Sequence, residues 1–183
     1  MVSTPMIPAF HEEWFHLDAQ ECLAGLARQV ADIPGLIIEV GSWEGRSTCA
    51  LANAAHPRVV HAVDTWAGSV DEISQTLAAK RDVFAQWLAN VGYWTRGNVE
   101  PHRMGWREFA TMVEDPVAFL FVDAEHTYKE VRDNIKAFMA KMAPGGIICG
   151  DDVHHPPVRK ALDEVLPGWQ GSGTAVWSWT VPA

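Results

Sequence analysis

Positive charge is scarce in this sequence. Its 183 residues include 14 Lys and Arg against 23 Asp and Glu, which gives a formal net charge of -9. A protein that binds a nucleic-acid backbone needs clustered Lys and Arg to displace counterions from the phosphates. We therefore expect no nucleic-acid partner.

Cysteine is also rare, and its positions are far apart. Cys22, Cys49 and Cys149 are odd in number and each stands among apolar neighbours. This pattern argues against a disulfide framework and against a zinc site, both of which need closely spaced or paired cysteines. We expect reduced, buried thiols in a cytoplasmic protein.

Long hydrophobic runs are missing as well, and the chain does not open on a charged segment followed by an apolar one. We therefore expect a soluble protein without a membrane partner. An apolar fraction of 48% is ample for the core of one domain. We expect a single domain over residues 1–183, with residues 1–34 as an N-terminal arm and helix, and we leave a homo-oligomer open.

The chain alternates short apolar runs with amphipathic helical patterns. Strands are predicted at 36–40, 59–63, 99–104, 117–122, 147–149 and 176–181, and helices at 18–32, 46–55, 71–90, 127–142 and 158–165. Capping boxes at Asp18 with Glu21 and at Thr127 with Glu130 mark two helix starts, and Gly92 marks a helix end. The alternation predicts an α/β fold: a doubly wound, mostly parallel sheet with helices on both faces and an antiparallel last strand. We expect a seven-stranded sheet, of which these patterns locate six strands.

The turn after the first strand has the composition of a ligand-binding loop. Gly41 and Gly45 bracket it, and a helix follows, so backbone N–H groups gather at the carboxyl edge of the sheet. Asp64, about twenty residues later, is placed to accept the ribose hydroxyls of a nucleoside cofactor. The spacing is Gly-x-x-x-Gly, and the dinucleotide fingerprint Gly-x-Gly-x-x-Gly is absent. A plain turn with a surface carboxylate fits these residues equally well.

Three carboxylates end the last parallel strands of the predicted sheet. Asp123 follows one strand, and Asp151 and Asp152 follow the next. Neighbouring strands lie about 5 Å apart, so these side chains converge and would repel one another unless a hard divalent cation such as Mg²⁺ joined them. The alternative is that one Asp caps a helix and another is solvated. We favour the metal site, because all three residues lie at predicted strand ends on the same edge of the sheet.

Other candidate residues lie at the same edge. His126, three residues after Asp123, is placed to act as a general base if a metal is present, although a lone loop histidine is usually only solvated. Trp66 and Trp106 could wall a pocket for a base or an acceptor, although tryptophans are more often part of the core.

Four segments together resemble class I S-adenosylmethionine-dependent methyltransferases. They are residues 38–48, 62–69, 121–128 and 144–152. The resemblance is greatest to the metal-dependent macrocin and mycinamicin sugar O-methyltransferase group, and it covers most of the chain. It implies methyl transfer from S-adenosylmethionine to a small-molecule hydroxyl, on a sugar or another oxygen-chelating acceptor.

The resemblance also assigns residues. It implies that S-adenosylmethionine is bound by Glu39, Gly41, Ser42, Trp43, Gly45, Ser47, Asp64, Thr65, Trp66, Gly105, Trp106 and Asp123. It implies that Mg²⁺, or another hard divalent cation, is bound by Asp123, Asp151 and Asp152, and that His126 is the catalytic base.

Three other functions remain open at this point. A nicotinamide-dependent oxidoreductase would share the first turn and Asp64 but leaves the acidic residues unexplained. A protein of the same fold that binds the same cofactor could run a different reaction, as in hydroxylase-like relatives. A silent binding or assembly protein would keep the fold, but the intact ligand and base positions count against it.

Overall fold

The computed structural model describes residues 6–182, and its strands form one seven-stranded sheet. The strands are β1 Leu36–Val40, β2 Val60–Asp64, β3 Val99–Arg103, β4 Val117–Val122, β5 Met142–Gly150, β6 Gln170–Gly171 and β7 Trp177–Thr180. The helices are α1 Leu17–Gln29, α2 Arg46–Ala55, α3 Ile73–Ala78, α4 Val83–Trp94, α5 Trp106–Met112, α6 Tyr128–Met139 and α7 Pro156–Val165.

The strand order across the sheet is β3-β2-β1-β4-β5-β7-β6. The first five strands in this order pair in parallel, whereas β7 pairs antiparallel with both β5 and β6. The chain winds outward from β1 to β3 and then returns to place β4 beside β1. This reversal creates a crevice at the carboxyl ends of β1 and β4, where sheets of this kind bind ligands. The predicted fold class is confirmed.

The six-residue apolar run of β4 is buried throughout, as its position in the sheet requires. Its alternate side chains enter two different cores. Phe119 and Phe121 join a cluster with Leu23 of α1 and Leu51 of α2, while Leu120 packs in the cluster that contains residues of α5, α6 and α7. Burial of each such side chain stabilises the fold by about 1.5–3 kcal/mol. Layers of helices on both faces therefore fix the sheet edge that carries the site.

The helix predicted over residues 71–90 is in fact two helices, α3 and α4. Asp82 separates them, because its side chain accepts a hydrogen bond from the N–H of Ala85 at 3.0 Å and so starts a new helix as its N-cap. Gly92, predicted to end the helix, lies inside α4 instead. The break leaves residues 79–82 as a short connection between the two helices.

Two further local predictions are corrected, and one is confirmed. Helix α1 begins after His16, while Asp18 bonds only to the adjacent N–H of Ala19. The segment 143–146, predicted as a helix end, belongs to β5. Thr127 caps α6 as predicted, because its hydroxyl accepts from the N–H of Glu130.

The three cysteines are free, and Cys49 and Cys149 are buried. Among residues 6–182, every helix is too short or too polar to cross a membrane.

Candidate active site

A cavity of about 1030 Å³ opens at the carboxyl edge of the parallel strands. Residues that follow β1, β2, β4 and β5 contribute to its walls. Pockets for one small ligand usually measure about 300–1,000 Å³. This cavity therefore has room for a cofactor and an acceptor together.

The turn between β1 and α2 forms one wall and depends on its first glycine. Gly41 has a φ of 89°, and a Cβ there would lie 1.9 Å from the backbone oxygen of Asp123. Gly45 has a φ of 87°, and its Cβ would lie 3.0 Å from Trp87. Both the backbone conformation and the close approach exclude a side chain at Gly41. The turn thus lies directly against the end of β4.

Asp64, at the end of β2, holds this turn in place. Its Oδ2 accepts hydrogen bonds from the N–H groups of Ser42 and Trp43, both at 2.8 Å, and its Oδ1 accepts from the N–H of Trp66 at 2.7 Å. An ionised carboxylate offers about four acceptor positions. Asp64 therefore keeps about one position for a ligand hydroxyl while it shapes the loop.

Glu39 lies behind the turn and does not line the cavity. Its Oε2 accepts from the hydroxyl groups of Ser42, at 2.7 Å, and Thr48. Burial raises the pKa of Glu39 to about 7, although these hydroxyl groups act in the opposite direction. Its Oε1 is buried and has no hydrogen-bond partner among the described residues. The structure gives Glu39 a supporting position beneath the predicted cofactor turn.

The expectation that Trp66 walls the pocket is corrected by its burial. The side chain is only 4% exposed and packs on Phe84 and Trp87, with ring centroids 4.5 and 5.1 Å away. Its indole N–H donates to the backbone oxygen of Trp43 at 2.8 Å. Trp66 therefore supports the turn from the core, because the apolar cluster around α4 provides a better environment for its ring than the cavity does.

The other predicted cofactor residues divide in the same way. Gly45 lies behind the cavity wall, at the N-cap of α2. The following predicted residues line the cavity: Gly41, Ser42, Trp43, Ser47, Asp64, Thr65, Gly105, Trp106 and Asp123.

Just after the carboxyl ends of β4 and β5, three groups form a tight cluster. Asp123, His126 and Asp152 each offer a ligand atom within 4.8 Å of the others. Nε2 of His126 lies 2.7 Å from Oδ2 of Asp152 and 3.9 Å from Oδ1 of Asp123. Nδ1 of the same ring lies 3.1 Å from Oε1 of Glu72, close enough for a hydrogen bond. The histidine is therefore held between carboxylates on both sides.

Asp151 lies beside this cluster and is the most buried of the three predicted metal ligands. Its Oδ1 is buried and lacks a hydrogen-bond partner among the described residues. Burial, together with the charges of Asp123 and Asp152, raises the pKa of Asp151 to about 8. Burial also raises the pKa of Asp123. Carboxylates with too little counter-charge and an orphaned oxygen are the donor set that a hard divalent cation satisfies.

The imidazole of His126 supplies the counter-charge within this cluster. Burial by itself lowers the pKa of His126, but the close carboxylates of Asp123 and Asp152 outweigh it and raise the pKa to about 11. Burial alone would raise the pKa of Asp152, but His126, together with the charges of His155 and His154, lowers it overall. In this arrangement His126 is an imidazolium at neutral pH and cannot accept a proton.

Sequence reasoning missed the part that the N-terminal arm plays in the site. The cavity is lined by arm residues Phe10, Glu12, Glu13, Trp14, Phe15 and His16. Glu12 and the buried Glu44 are both ion-paired to Arg81, and the ring centroids of Trp14 and Trp43 are 5.4 Å apart. The arm has no periodic hydrophobic pattern. Its only sequence signal was the presence of three aromatic residues, Phe10, Trp14 and Phe15, within six positions.

Comparison with known proteins identifies the family. The family model described as "Methyltransferase domain" matches residues 38–153, and a search of curated proteins found no match.

Solved structures share the fold at low sequence identity. The O-methyltransferase NovP is 20% identical, with a TM-score of 0.68 over 90% of this chain and 79% of that chain. CalS11, a TDP-rhamnose 3'-O-methyltransferase of calicheamicin biosynthesis, is 17% identical, with a TM-score of 0.62 over 91% and 81%. TomG from Streptomyces achromogenes, solved in complex with S-adenosylmethionine, is 20% identical, with a TM-score of 0.61 over 90% and 80%.

The family match runs from β1 to the residues that follow β5, and so includes the turn, Asp64 and the acidic cluster. It covers well over half of the chain, and the chain therefore belongs to the methyltransferase domain family.

Proposed function

We propose that this protein transfers a methyl group from S-adenosylmethionine to a hydroxyl group of a small molecule, with the help of Mg²⁺ or another hard divalent cation. One observation carries the proposal: Asp123, His126 and Asp152 converge in a cavity that the glycine turn after β1 also lines. Membership of the methyltransferase family and the likeness to several O-methyltransferases support the reaction type.

The cofactor position follows from the groups that line the cavity. The acceptor position left on Asp64 suits a ribose hydroxyl, and Gly105 and Trp106, which line the same cavity, would border the base of the cofactor. The likeness to TomG, which was solved with S-adenosylmethionine, supports this choice of cofactor. The nicotinamide alternative leaves the cluster of Asp123, His126 and Asp152 without a use.

The bound groups would supply the parts of the reaction that the side chains cannot: S-adenosylmethionine carries the reactive methyl group, and a divalent cation lowers the pKa of a coordinated hydroxyl. Asp123, Asp151 and Asp152 would hold the cation. The residues that line the cavity would align the hydroxyl with the methyl group, and alignment is a major source of acceleration in such transfers.

His126 is the group placed to remove the hydroxyl proton. A hydrogen bond from Nδ1–H to Glu72 fixes the ring and leaves Nε2 on the side of the carboxylates. The pKa of about 11 arises from Asp123 and Asp152. Carboxylates that held a cation would raise that pKa less, and His126 would then be able to act as a neutral base.

The charge of the cavity restricts the acceptor. Carboxylates outnumber guanidinium groups along its walls. Arg107 pairs with Glu130 at 2.7 and 2.8 Å, and Arg46 donates to the backbone oxygen of Glu12 at 3.1 Å. An anionic acceptor would meet uncompensated negative charge. We infer an acceptor without phosphate or carboxylate groups, with two neighbouring oxygens such as those of a sugar or a catechol.

The first test is calorimetric titration of S-adenosylhomocysteine into the full chain, with and without Mg²⁺. We expect cofactor binding in the wild type and in Asp123→Asn, and a separate Mg²⁺ binding event that Asp123→Asn loses. Asp115→Asn is the matched control, because Asp115 is exposed and precedes β4 at the opposite edge of the sheet. Absence of S-adenosylhomocysteine binding would refute the proposal, and a fluorescence titration with reduced nicotinamide cofactor would then test the oxidoreductase alternative.

The second test measures methyl transfer from labelled S-adenosylmethionine to a panel of sugars and phenols, each with and without a phosphate group. We expect the highest rates of methyl transfer with the unphosphorylated acceptors of the panel. Transfer only to phosphorylated acceptors would contradict the inference from cavity charge but not the methyltransferase assignment.

A further inference from the structure

A second group of metal-ligating side chains lies outside the cavity, on the far edge of the sheet. His61 belongs to β2, and Glu100 and His102 belong to the edge strand β3. These three residues each offer a ligand atom within 4.8 Å of the others. None of them lines the cavity described above.

The strand register explains why these three side chains meet. In the parallel pair of β2 and β3, His61 lies opposite Glu100, and His102 is two residues further along β3. Residues two apart on a strand point to the same face, so Glu100 and His102 flank the side chain of His61. The Glu-x-His sequence of the edge strand β3 therefore lies beside His61 of the neighbouring strand β2.

The distances suit a shared cation. Nδ1 of His61 lies 3.0 Å from Nε2 of His102, and the two oxygens of Glu100 lie 3.8 and 3.9 Å from these nitrogens. Two imidazole nitrogens bound to one zinc ion at about 2.0–2.1 Å are about 3.0–3.4 Å apart, depending on the angle between them. The two histidine nitrogens already have this spacing. The exposed side chain of Glu100 can rotate to bring a carboxylate oxygen to the same ion.

A hydrogen bond between two neutral imidazoles would also explain the distance of 3.0 Å. That alternative leaves Glu100 without a role, because both of its oxygens are too far from the ring nitrogens for hydrogen bonds. Burial lowers the pKa of both histidines, although the charge of Glu100 acts against it. Neutral rings offer the nitrogen lone pairs that a metal ion requires.

The two rings are also held in position from one side. Phe109 of α5 packs against His102, with ring centroids 4.5 Å apart, and its centroid lies 6.5 Å from that of His61. The side chains of His61 and His102 are 18% and 17% exposed, so an ion can reach them from solvent. Such ligands lose little conformational freedom when they bind.

We propose that His61, Glu100 and His102 form a binding site for a divalent transition-metal ion such as Zn²⁺, with water completing the coordination. Two imidazoles and one carboxylate favour Zn²⁺ and its neighbours over Mg²⁺, which prefers oxygen ligands. The ion joins the edge strand β3 to β2. It thereby stabilises the strands that lead to Asp64 and to the segment 104–106, and this role does not depend on methyl transfer.

The test is calorimetric titration of Zn²⁺ into the full chain carrying Asp123→Asn and Asp152→Asn, which removes the competing acidic cluster. In this parent we expect one Zn²⁺ per chain, and we expect His102→Gln to weaken binding by at least about tenfold. His16→Gln is the matched control, because His16 is exposed and its side chain makes no capping hydrogen bond. Far-UV circular dichroism checks that each variant is folded.

A second readout identifies the ligands. Co²⁺ added to the same parent should give visible absorption bands of a nitrogen- and oxygen-ligated ion, and His61→Asn should abolish these bands while His16→Gln retains them. A parent that binds no Zn²⁺ would overturn the proposal. Equal Zn²⁺ affinity in His102→Gln and His16→Gln would overturn it as well, and the two histidines would then be a hydrogen-bonded pair.

Discussion

His126 and Asp152 form an ion pair within the acidic cluster, with Nε2 lying 2.7 Å from Oδ2. The two atoms are close without the alignment of a hydrogen bond, and Nε2 has no such bond among the described residues. The imidazolium thus occupies the place in the charge balance that we propose for a divalent cation. The protonation state of His126 should therefore indicate whether a cation occupies the proposed metal site.

Without a divalent cation, we expect His126 to titrate far above an ordinary histidine, near the pKa of about 11 set by Asp123 and Asp152. Saturation with Mg²⁺ should lower this pKa, because the cation engages the same carboxylates. Titration of the histidine ring protons followed by NMR measures both states. A pKa near 6.5 in cation-free protein would show that the ion pair does not form in solution.

The same ion pair makes the stability of cation-free protein depend on pH. A histidine whose pKa is raised on folding contributes stability that is complete below its unfolded pKa of 6.5 and is lost as pH rises towards 11. Urea unfolding at a series of pH values should therefore show stability falling from pH 7 to pH 9, and His126→Gln should flatten this slope. An unchanged slope in His126→Gln would contradict the prediction.

Replacement of Asp64 by Asn tests its role in the turn. The carboxylate accepts three backbone hydrogen bonds, whereas an amide offers one acceptor oxygen and places an NH₂ group against N–H donors. We expect a loss of about 1–3 kcal/mol in the free energy of unfolding, together with weaker S-adenosylhomocysteine binding. Urea unfolding and calorimetry measure the two effects. Asp32→Asn, at an exposed position, should show neither.

Gly41→Ala and Gly97→Ala form a matched pair. Both glycines have a left-handed φ, of 89° and 78°, but a Cβ at Gly97 meets no atom within 4 Å. Gly97→Ala should therefore cost only the backbone term of about 1 kcal/mol, whereas Gly41→Ala adds a clash with the backbone of Asp123. Thermal unfolding of both variants should give the lower melting temperature for Gly41→Ala. Equal melting temperatures would mean that the turn and the end of β4 are further apart than described.

Arg81→Gln tests how the N-terminal arm is held over the cavity. Arg81 pairs with Glu12 of the arm and lies 2.9 Å from the buried Glu44. We expect the variant to lose about 1–3 kcal/mol of stability and to become sensitive to proteolysis within residues 6–16. Arg28→Gln, at an exposed position of α1, is the control. Equal cleavage rates in the two variants would show that other contacts, such as those of Gln86 and Asn90 with Ala9, suffice to hold the arm.

Local signals predicted the parts of the fold that are determined locally. The apolar run of β4 was predicted to the residue, and the hydroxyl of Thr127 caps α6 as expected. The position of Asp123 at a strand end followed from that run. Prediction failed where a side chain's position depends on a partner far away in the sequence. Glu12 pairs with Arg81 across 69 positions, and His126 pairs with Glu72 across 54. The sequence left Trp66 open between the pocket and the core, because patterns along the chain do not specify its contacts with Phe84 and Trp87.

Three non-glycine residues beside the cavity adopt a left-handed backbone: Trp43, Trp66 and Asp152 have φ values of 44°, 54° and 60°. Each such conformation costs of order 1–3 kcal/mol. Gly or Asn would relieve this strain, but at Trp66 the replacement would also remove a buried indole that packs on Phe84 and Trp87. At Trp43 and Asp152 the same replacements would remove an indole from the cavity wall and a carboxylate from the acidic cluster, so the strained backbone there carries side chains that the proposed function uses.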